Sequence, residues 1–478
     1  MTMLADLPRN EAGIATALSV LAQVFGPRLE RGQAMRDQHG HTTTWLRNQP
    51  PDAVLFPETT EEVQDIVRIC ATHRVPIIPF GTGTSLEGHV NAPAGGITLD
   101  FSRMDAILAV HAADMDVVVQ PGVTRKALNT HLRDTGLFFP IDPGADASLG
   151  GMAATNASGT GAVRHGTMKD NVLALTAVLP SGEVVKTAAR ARKTSAGYDL
   201  TRLMVGSEGT LGLITELTLK LQGIPEATSA ATCSFPSVEA ACNAVIATFQ
   251  HGLPMARIEL LDARFVTAVN AYSRLSLPET PLLLLEFQGT ASAVRDQSVL
   301  FGEIAAEMGG TGYTFTTREE ERNRLWQARH DAYWAGLQLR PGAKGISTDV
   351  CVPISRLADC VTATQDKLDA LGMMGPILGH VGDGNFHTIL LVDVENADEV
   401  ARAEGFVGWL NDLAISMDGT CTGEHGIGQG KARYLERELG AGAMAMMAAI
   451  KQGVDPLNIF NPGKMALPSG GRDGGHHG

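Results

Sequence analysis

The stretch 79-PFGTGTSLEGH-89 decides which fold class the rest of the chain must fit. It follows a short apolar, strand-like segment, so a dinucleotide-binding glycine fingerprint has to be considered. Gly81, Gly83 and Gly88 are spaced G-x-G-x-x-x-x-G, whereas a Rossmann loop requires G-x-G-x-x-G and a helix directly after it. The following VNAPAGGITLDF has no helical pattern, and the loop contains no GK[ST]. The stretch is therefore neither a Rossmann nor a Walker loop, which leaves a plain turn or a nest of backbone N–H groups for an anion.

Three further segments have the same texture as this loop. They are QPGV at 120–123, DPGADASLGGMAATNASGTGAVRHGTMKDNV at 142–172 and GSEGTLGLITELTLKL at 206–221. Their Gly, Ser, Thr and Asn side chains are too small to build a hydrophobic core, and the segments are too extensive for simple turns. Together they indicate a long ligand that is held mainly by backbone groups.

Composition limits the classes of function. The chain has 478 residues, of which 44% are hydrophobic and 19% charged, which indicates a globular protein of two or more domains. The formal net charge of −14 disfavours nucleic acid and anionic membrane surfaces as partners. Six cysteines without a CxxC pair indicate reduced thiols. No apolar stretch has the length of a transmembrane helix, and the N-terminus lacks the basic region of a signal peptide, so we predict a cytoplasmic protein.

The spacing of apolar residues predicts two regions of different texture. The first reads as strands and turns, with helices capped by Thr60 and Thr124 and a hairpin that turns at 180–182. The second alternates helices with strands, which predicts an α+β domain in which helices cover an antiparallel sheet. One of its helices is predicted to run without a break through REEERNRLWQARHDAYWAGLQL.

The stretch 379-GHVGDGNFH-387 carries two histidines around a run of Gly and Asp. Its flanks are strand-like, and Asp383-Gly384 is a favoured two-residue hairpin loop. With that loop, His380 and His387 are directly opposed on one face of a sheet, with Cβ atoms about 4.5–5.5 Å apart. This separation suits two imidazoles on one metal ion, and the alternative is a hairpin with one structural and one exposed histidine.

A second stretch, 421-CTGEHGIGQGK-431, places Glu424 beside His425 in a glycine-rich loop. Two neutral imidazoles and one carboxylate leave open positions on a divalent cation, as a catalytic site requires. Zn²⁺, Mn²⁺ and Fe²⁺ all accept this ligand set. From the residues alone, the alternatives are a surface acid for Glu424 and a packed imidazole for His425.

The combined motifs resemble a known family. PFGTGTSLEGH, QPGV, SLGGMAATNASG, RHGTMKDNV and GSEGTLGLITE together resemble the vanillyl-alcohol oxidase/p-cresol methylhydroxylase flavoprotein superfamily. STDVCVPISRL, GHVGDGNFH, CTGEHGIG and NPGK are similar to its D-lactate dehydrogenase and glycolate oxidase branch. The similarity covers nearly the whole chain. It implies a two-subdomain FAD-binding domain of the p-cresol methylhydroxylase type plus an α+β substrate domain.

The resemblance also implies the division of the chain and the residues that bind FAD. The expected parts are an N-terminal helical segment (1–45), the FAD-binding domain (46–222), a substrate and metal domain (223–420), a C-terminal segment that closes the active site and returns to the FAD domain (421–467), and a disordered tail (468–478). FAD is expected to bind non-covalently, although His89 and His165 lie in regions where some relatives attach it. The residues implied in FAD binding are Pro79, Gly81, Thr82, Gly83, Thr84, Ser85, Gly88, Pro121, Gly122, Asp142, Pro143, Ser148, Leu149, Gly150, Gly151, Thr155, Asn156, Ser158, Gly159, Glu208, Gly209, Gly212, Ile214 and Asn461.

For the reaction site, the resemblance assigns His380, His387 and Glu424 as metal ligands and His425 as the catalytic base. A substrate carboxylate requires a cation, and the motif LWQAR points to Arg329. Three other basic side chains are candidates for binding the substrate. Lys344 matches a basic position that relatives use where the substrate has a second carboxylate, and Arg322 shares a helix face with Arg329. Arg340 is a weaker candidate than Arg329 and Lys344.

The implied activity is FAD-dependent oxidation of a D-2-hydroxy acid, D-lactate or a close analogue, to the 2-oxo acid. The alternatives within the family are D-2-hydroxyglutarate or glycolate dehydrogenase, or a flavin-binding subunit of a larger oxidase. A metal-dependent hydrolase without flavin is the alternative outside it. The expected electron acceptor is cytochrome c, a quinone or an electron-transfer flavoprotein, which could bring the protein to the inner membrane peripherally. A homodimer is the assembly considered.

Overall fold

The computed structural model describes residues 7–465 of the chain. The predicted disordered tail at 468–478 therefore lies outside the described residues, as do the first residues of the predicted N-terminal segment. The described chain forms two compact units. The central unit comprises 158–166 and 224–424, and the flanking unit comprises 7–157, 167–223 and 425–465.

The first half of the chain, up to residue 223, contains mostly short elements. Its helices are α1 (Glu11–Phe25), α2 (Gln33–His39), α3 (Thr60–His73), α4 (Arg125–Leu132), α5 (Leu149–Thr155), α6 (Ala162–His165), α7 (Met168–Asn171) and α8 (Leu200–Met204). Its strands are β1 (Leu29–Glu30), β2 (Ala53–Leu55), β3 (Ile77–Phe80), β4 (Ile97–Asp100), β5 (Ile107–His111), β6 (Asp116–Val119), β7 (Leu137–Phe138), β8 (Val172–Val178), β9 (Val184–Lys186), β10 (Leu213–Lys220) and β11 (Gln222–Gly223).

The remainder of the described chain contains longer helices. They are α9 (Val238–Gln250), α10 (Ala263–Ser273), α11 (Ala291–Glu307), α12 (Glu319–His330), α13 (Ala332–Leu337), α14 (Leu357–Leu371), α15 (Ala397–Ser416) and α16 (Leu435–Val454). The strands are β12 (Ala227–Ser234), β13 (Arg257–Leu261), β14 (Leu282–Gly289), β15 (Thr311–Thr316), β16 (Lys344–Ser347), β17 (Val350–Cys351), β18 (Ile377–His380) and β19 (Asn385–Val392).

The flanking unit contains two main sheets, each with its own hydrophobic core. The first has the order β1-β2-β4-β3, and its three strands β2, β4 and β3 are parallel. The apolar faces of α1 and α3 pack on it. The second sheet is antiparallel, with the order β5-β6-β10-β8-β9, and packs with α4 and α5. The pairing of β8 with β9 confirms the hairpin predicted at 180–182.

Local sequence explains where the helices of this unit begin. Helix α3 is capped by Thr59, whose hydroxyl accepts a hydrogen bond from the Glu62 N–H at 3.2 Å. The prediction of Thr60 as the cap is therefore wrong by one residue, because two adjacent threonines offer the same capping chemistry. Thr124 caps α4 as predicted, since it accepts from the Ala127 N–H.

The central unit is built on an antiparallel sheet of the order β15-β12-β14-β13-β18-β19-β16, with β17 also paired to β19. Helices α10, α12 and α13 cover one face. Their apolar side chains form a core with alternate residues of β13, β14, β18 and β19, among them Leu261, Leu284, Leu378 and Ile389. This is the predicted antiparallel sheet covered by helices.

The long helix predicted through REEERNRLWQARHDAYWAGLQL is interrupted. Helix α12 ends at His330 and α13 begins at Ala332, so the prediction of one unbroken helix is wrong. Asp331 separates them, and its carboxylate accepts from the Gln327 side chain at 3.0 Å. Aspartate is a weak helix former because its side chain competes for nearby donors. Among all described helices, none combines the length and apolarity needed to cross a membrane.

Candidate active site

The two histidines of GHVGDGNFH lie on the neighbouring strands β18 and β19. In the observed register, His380 is paired with Asn385, and His387 is paired with Leu378. The turn between the strands therefore contains four residues, and the predicted two-residue loop at Asp383-Gly384 is wrong. The two histidines are diagonal neighbours across the ladder and not directly opposed.

The longer turn leaves both histidines on the predicted face of the sheet. The register differs from the predicted one by two residues, and side chains alternate with a period of two, so the face is unchanged. The ring centroids of His380 and His387 are 5.5 Å apart with an interplanar angle of 82°. The residue directly after strand β17 fixes the turn, because the Val352 N–H donates to the Gly384 carbonyl at 3.1 Å. Gly384 has a φ of +80° and stands too close to the Val352 carbonyl to admit a side chain.

Glu424 lies between the two imidazoles. Its Oε1 is 3.3 Å from Nε2 of His380 and 3.3 Å from Nε2 of His387. Ligand atoms on a tetrahedral ion with bonds of about 2.0–2.1 Å stand roughly 3.3–3.4 Å apart. All three side chains are largely buried, and the Ser158 hydroxyl donates to the other oxygen of Glu424 at 2.7 Å. Both separations therefore fit a shared divalent cation, and the ligand atoms of the three residues all lie within 4.8 Å of one another.

The remaining ring nitrogens fix the tautomers of both histidines. Nδ1 of His380 is 2.7 Å from Oε1 of Glu259, and Nδ1 of His387 is 2.9 Å from the Thr348 carbonyl. Both partners are acceptors, so each Nδ1 carries a proton, and Nε2 is the atom of each ring that faces Glu424 and is left to bind a cation. Metal-ligating histidines in proteins commonly have this second partner.

The cluster concentrates negative charge in a buried place. Burial lowers the pKa of His380, but the Glu259 and Glu424 carboxylates outweigh it and raise that pKa well above its ordinary value. Burial raises the pKa of Glu424, but the two imidazoles outweigh it and hold that pKa well below its ordinary value. Burial also raises the pKa of Asp383, in the turn, to about 6. The arrangement therefore attracts positive charge, as protons or as a cation.

Asp349 holds the loop that presents Glu424, and sequence reasoning missed it. Its carboxylate accepts from the Glu424 N–H at 3.1 Å, the Thr422 hydroxyl at 2.9 Å and the Asn385 amide at 2.9 Å. Asp349 is fully buried. A buried acid needs such donors, so an acid inside the strand-like sequence STDVCVP was the available signal.

Arg329 lies beside the histidine cluster through a shared partner. Its Nε and Nη2 contact Oε2 of Glu259 at 2.8 Å and 2.6 Å. The other oxygen of Glu259 is the partner of His380. These bonds occupy one edge of the guanidinium and leave Nη1 directed elsewhere. Glu259 was also missed, although an acid with an apolar residue on each side, Ile258 and Leu260, was a signal that the sequence offered.

The other candidate cations are placed differently. Arg340 forms a two-pronged pair with Glu399 at 2.7 Å and 2.9 Å, which commits it to the start of α15. Lys344 is exposed and paired with Val392, so its side chain lies on the sheet face opposite to His387. The structure therefore does not bring Arg340 or Lys344 to the cluster. Arg322 lies two turns before Arg329 on α12, and its buried Nε has no partner among the described residues.

The four glycine-rich segments pack against one another within the flanking unit. At each contact a glycine of one segment touches a residue of another so closely that no side chain fits. The separations that a Cβ atom would have are 2.1 Å from Gly81 to Ser148 Oγ, 2.4 Å from Gly150 to Pro121 Cβ and 2.3 Å from Gly209 to Pro79 Cγ. The segments therefore form one small-sided surface, as a ligand held by backbone groups requires.

Two hydroxyls on this surface fit a polar ligand. Oγ of Ser85 and Oγ of Ser148 are buried without a hydrogen-bond partner among the described residues. Such groups are uncommon in folded proteins, and a phosphate or ribityl group of FAD would supply their acceptor. The remaining predicted FAD residues of the flanking unit are Thr82, Gly83, Thr84, Gly88, Gly122, Asp142, Pro143, Leu149, Gly151, Thr155, Asn156, Gly212 and Ile214. Ser158 and Gly159 belong to the central unit, where Ser158 is bonded to Glu424.

Glu208 and Asn461 have partners of their own inside the flanking unit. Glu208 accepts from the Ile427 N–H at 2.6 Å and the Gly428 N–H at 2.8 Å. The Asn461 amide donates to the Glu208 carbonyl at 2.8 Å. Nε2 of His89 is 3.2 Å from Oε1 of Glu208. These contacts tie the C-terminal segment to the glycine-rich surface.

His425 begins that C-terminal segment, directly after Glu424. Its Nδ1 is 4.0 Å from Oε1 of Glu87, which is longer than a hydrogen bond. The same Glu87 oxygen is 3.6 Å from Nζ of Lys431. His425 is mostly buried, as a proton-transfer group shielded from water would be.

Two family models match the chain. The model described as FAD linked oxidases, C-terminal domain, matches residues 224–465. The model described as FAD binding domain matches residues 51–188.

Curated relatives match over most of their own length. A "Probable D-lactate dehydrogenase, mitochondrial" of Danio rerio is 52% identical over 458 residues, which cover 95% of this chain and 92% of the relative. The "D-lactate dehydrogenase [cytochrome], mitochondrial" of Arabidopsis thaliana is 48% identical over 418 residues, 87% of this chain and 74% of the relative. The "Glycolate oxidase subunit GlcD" of Bacillus subtilis (strain 168) is 35% identical over 450 residues, 93% of this chain and 95% of the relative.

Solved structures match the fold at low identity. A p-cresol methylhydroxylase with substrate bound has a TM-score of 0.80 at 17% identity, over 96% of this chain and 98% of that chain. An alkyldihydroxyacetonephosphate synthase has a TM-score of 0.75 at 20% identity, over 96% of this chain and 87% of that chain. These matches confirm the predicted fold class, a p-cresol methylhydroxylase-type FAD-binding domain with an α+β domain.

Proposed function

Because the chain belongs to the family of FAD-linked oxidases, we propose that it oxidises a D-2-hydroxy acid, D-lactate or a close analogue, to the 2-oxo acid. The observation that supports this best is the buried set of His380, His387 and Glu424, spaced for one cation beside an arginine. The names of the Danio and Arabidopsis relatives, both D-lactate dehydrogenases, support D-lactate as the substrate. A hydrolase without flavin would leave the match to the FAD binding domain unexplained.

His380, His387 and Glu424 would hold the divalent cation, Zn²⁺, Mn²⁺ or Fe²⁺. A cation bound there lowers the pKa of the substrate hydroxyl, while FAD supplies the redox chemistry. The chain's own contribution is a rigid donor set, since Glu259, Thr348 and Ser158 each fix one of the three side chains. A cation held by only three protein ligands would keep coordination positions for a substrate hydroxyl and carboxylate.

Arg329 binds the substrate carboxylate in this proposal. Glu259 occupies the Nε and Nη2 edge of its guanidinium, so Nη1 is the atom offered to the substrate. Arg329 is 8% exposed, and a nearly dry arginine binds a carboxylate more strongly than a solvated one. Arg322 is the second choice, because its Nε lacks a partner among the described residues.

His425 is the proposed base that takes the hydroxyl proton. Imidazole exchanges protons near neutral pH, so a histidine suits this step. The residues that follow His425 are fixed by Glu208, which accepts from two successive backbone N–H groups. This anchor limits how far the His425 backbone can move.

The electron acceptor is proposed to be of the cytochrome type, with a quinone or an electron-transfer flavoprotein as alternatives. The Arabidopsis relative and a Saccharomyces cerevisiae relative, 37% identical, carry "[cytochrome]" in their names. These names also state a mitochondrial location, which does not fit the plain cytoplasmic location predicted from the sequence. The location of this chain stays a prediction.

Glycolate is the second candidate substrate, because the Bacillus relative named as a glycolate oxidase subunit is 35% identical. Anaerobic mixing of the FAD-loaded protein with D-lactate, L-lactate, glycolate and D-2-hydroxyglutarate separates the candidates. We expect the flavin absorbance to bleach fastest with D-lactate and not with L-lactate. A protein that bleaches with none of the four would refute the dehydrogenase assignment.

A further inference from the structure

We propose that Glu259 is a positioning residue that orients the side chains of both His380, the cation ligand, and Arg329, which binds the substrate carboxylate. This role rests on the proposed function given above. Glu259 lies in β13 between Ile258 and Leu260, and its side chain is 0% exposed. A buried carboxylate is strongly unfavourable unless donors match its charge. The identity of those donors therefore shows what the residue is for.

Both oxygens of Glu259 are occupied by groups of the proposed site. Oε1 contacts Nδ1 of His380 at 2.7 Å, and Oε2 contacts Nε and Nη2 of Arg329 at 2.8 Å and 2.6 Å. One carboxylate thus links the group that binds the cation to the group that binds the carboxylate of the substrate. The two ends of a small 2-hydroxy acid are aligned through a single side chain.

On the histidine side, Glu259 orients the ring. A hydrogen bond of 2.7 Å from Nδ1 directs Nε2 toward Oε1 of Glu424, which is 3.3 Å away. A carboxylate partner also raises the basicity of an imidazole ligand. Glu259 therefore increases the affinity of His380 for a divalent cation.

On the arginine side, Glu259 fixes the plane of the guanidinium. The guanidinium is rigid and planar, so two bonds on one edge determine where Nη1 points. Without this partner the Arg329 side chain would adopt other rotamers and lose its alignment with His380. The substrate affinity therefore depends on Glu259 as well.

Only an ionised acid satisfies both partners. When Nε2 of His380 binds the cation, Nδ1 of that ring is a donor, and Nε and Nη2 of Arg329 are donors as well. The residue between His380 and Arg329 must therefore offer two acceptor oxygens. A glutamine has the same shape but one amide nitrogen, which would face a donor on one side or the other. The substitution Glu259→Gln is therefore a test of charge and hydrogen bonding at nearly constant volume.

The experiment compares Glu259→Gln with wild type and with Glu286→Gln. Glu286 is a matched control because it is also a buried strand glutamate with an arginine neighbour, Arg257. Mn²⁺ is titrated into metal-free, FAD-loaded protein, and free Mn²⁺ is measured by electron paramagnetic resonance. We expect Glu259→Gln to weaken the Mn²⁺ Kd about 10–100-fold and to raise the KM for D-lactate about 10-fold at saturating Mn²⁺. Glu286→Gln should change neither value more than twofold.

A shorter acid guards against failure of the glutamine variant to fold. Glu259→Asp keeps the charge but cannot reach both partners, so we expect an intermediate loss of Mn²⁺ affinity. The flavin content and visible spectrum of each variant report folding, and both should match wild type. A purely structural role for Glu259 would lower the melting temperature without changing the Mn²⁺ Kd.

The outcomes separate this role from the proposed function. Wild-type protein that binds Mn²⁺, with Glu259 variants that bind it equally well, overturns the role of Glu259 alone. Wild-type protein that oxidises D-lactate fully without Mn²⁺, Zn²⁺ or Fe²⁺ overturns the cation site and the role of Glu259 together. If Glu259→Gln weakens Mn²⁺ binding but leaves the KM for D-lactate unchanged, the proposed orientation of Arg329 by Glu259 is wrong.

Discussion

A histidine faces a glutamate in each of the two units at nearly the same distance. In the flanking unit, Nε2 of His89 is 3.2 Å from Oε1 of Glu208, and in the central unit, Nε2 of His380 is 3.3 Å from Oε1 of Glu424. All four side chains are largely buried. Distance and burial therefore do not distinguish the two contacts.

The remaining partners distinguish them. Each oxygen of Glu208 accepts a hydrogen bond from a backbone N–H, one from Ile427 and the other from Gly428, so both oxygens are already used to hold the backbone. Oε1 of Glu424 instead faces the Nε2 atoms of two histidines. A carboxylate that accepts hydrogen bonds from backbone N–H groups holds chain segments together, whereas a carboxylate that faces two imidazole nitrogens can bind a cation jointly with the imidazoles.

The largest effect is expected from His387→Ala in the central unit. Loss of one of three ligands should abolish tight cation binding and reduce kcat/KM for D-lactate roughly 10³-fold, because the cation contributes several kcal/mol to charge stabilisation. Metal content by elemental analysis and steady-state kinetics check this. FAD content should stay at the wild-type level. Full metal occupancy in the variant would remove His387 from the ligand set.

The next effect concerns Lys464 in the flanking unit, whose amine is buried and donates to the Asn91 carbonyl at 2.8 Å. Burial lowers its pKa from 10.5 to about 7, and the Glu208 charge opposes that only in part. Between about pH 10.5 and pH 7 only the unfolded chain takes up this proton, so stability is lost as the pH falls through that range and the loss is complete near pH 7.

Lys464→Met removes this dependence. Relative to wild type, the free energy of unfolding of the variant should fall by roughly 2–4 kcal/mol as the pH rises from 7 to 10. Urea unfolding at several pH values measures the difference. A difference that is constant with pH would show that Lys464 keeps an ordinary pKa.

The smallest effect is expected from Glu208→Gln. The amide nitrogen would face a backbone N–H of Ile427 or Gly428, which leaves one buried donor unsatisfied and costs roughly 1–3 kcal/mol. The melting temperature of the FAD-loaded protein should fall while the Mn²⁺ Kd stays within twofold of wild type. Weakened Mn²⁺ binding in this variant would contradict the view that Glu424, and not Glu208, takes part in cation binding.

The family and the fold were predictable from the sequence because they depend on patterns that the chain carries locally. The motifs of the glycine-rich segments resembled those of an FAD-binding family, the alternation of helices with strands indicated an α+β domain, and both predictions are confirmed. The face shared by His380 and His387 was also predicted correctly although the turn was not. Side chains alternate with a period of two, so a register error of two residues does not matter.

The errors have a common physical cause, which is that partners distant in sequence decided the outcome. The turn after His380 is held by Val352, directly after strand β17, and Lys344 faces away because of its pairing with Val392. Arg340 forms an ion pair with Glu399, which is 59 residues further along the chain. The partners of Glu259 could not be identified from the sequence, because both lie far along the chain.

The division of the chain between the two units has a consequence for biosynthesis. Strand β3 lies at a sheet edge, and that edge is covered when the Ile77 N–H donates to the Ile459 carbonyl at 2.7 Å and the Asn461 N–H donates to the Ile77 carbonyl at 2.8 Å. About 380 residues are translated between these partners, more than half of them in the central unit, which takes roughly 20–80 s at ribosomal rates. During that interval the nascent chain presents an open strand edge, the kind of surface at which chaperones and aggregation compete.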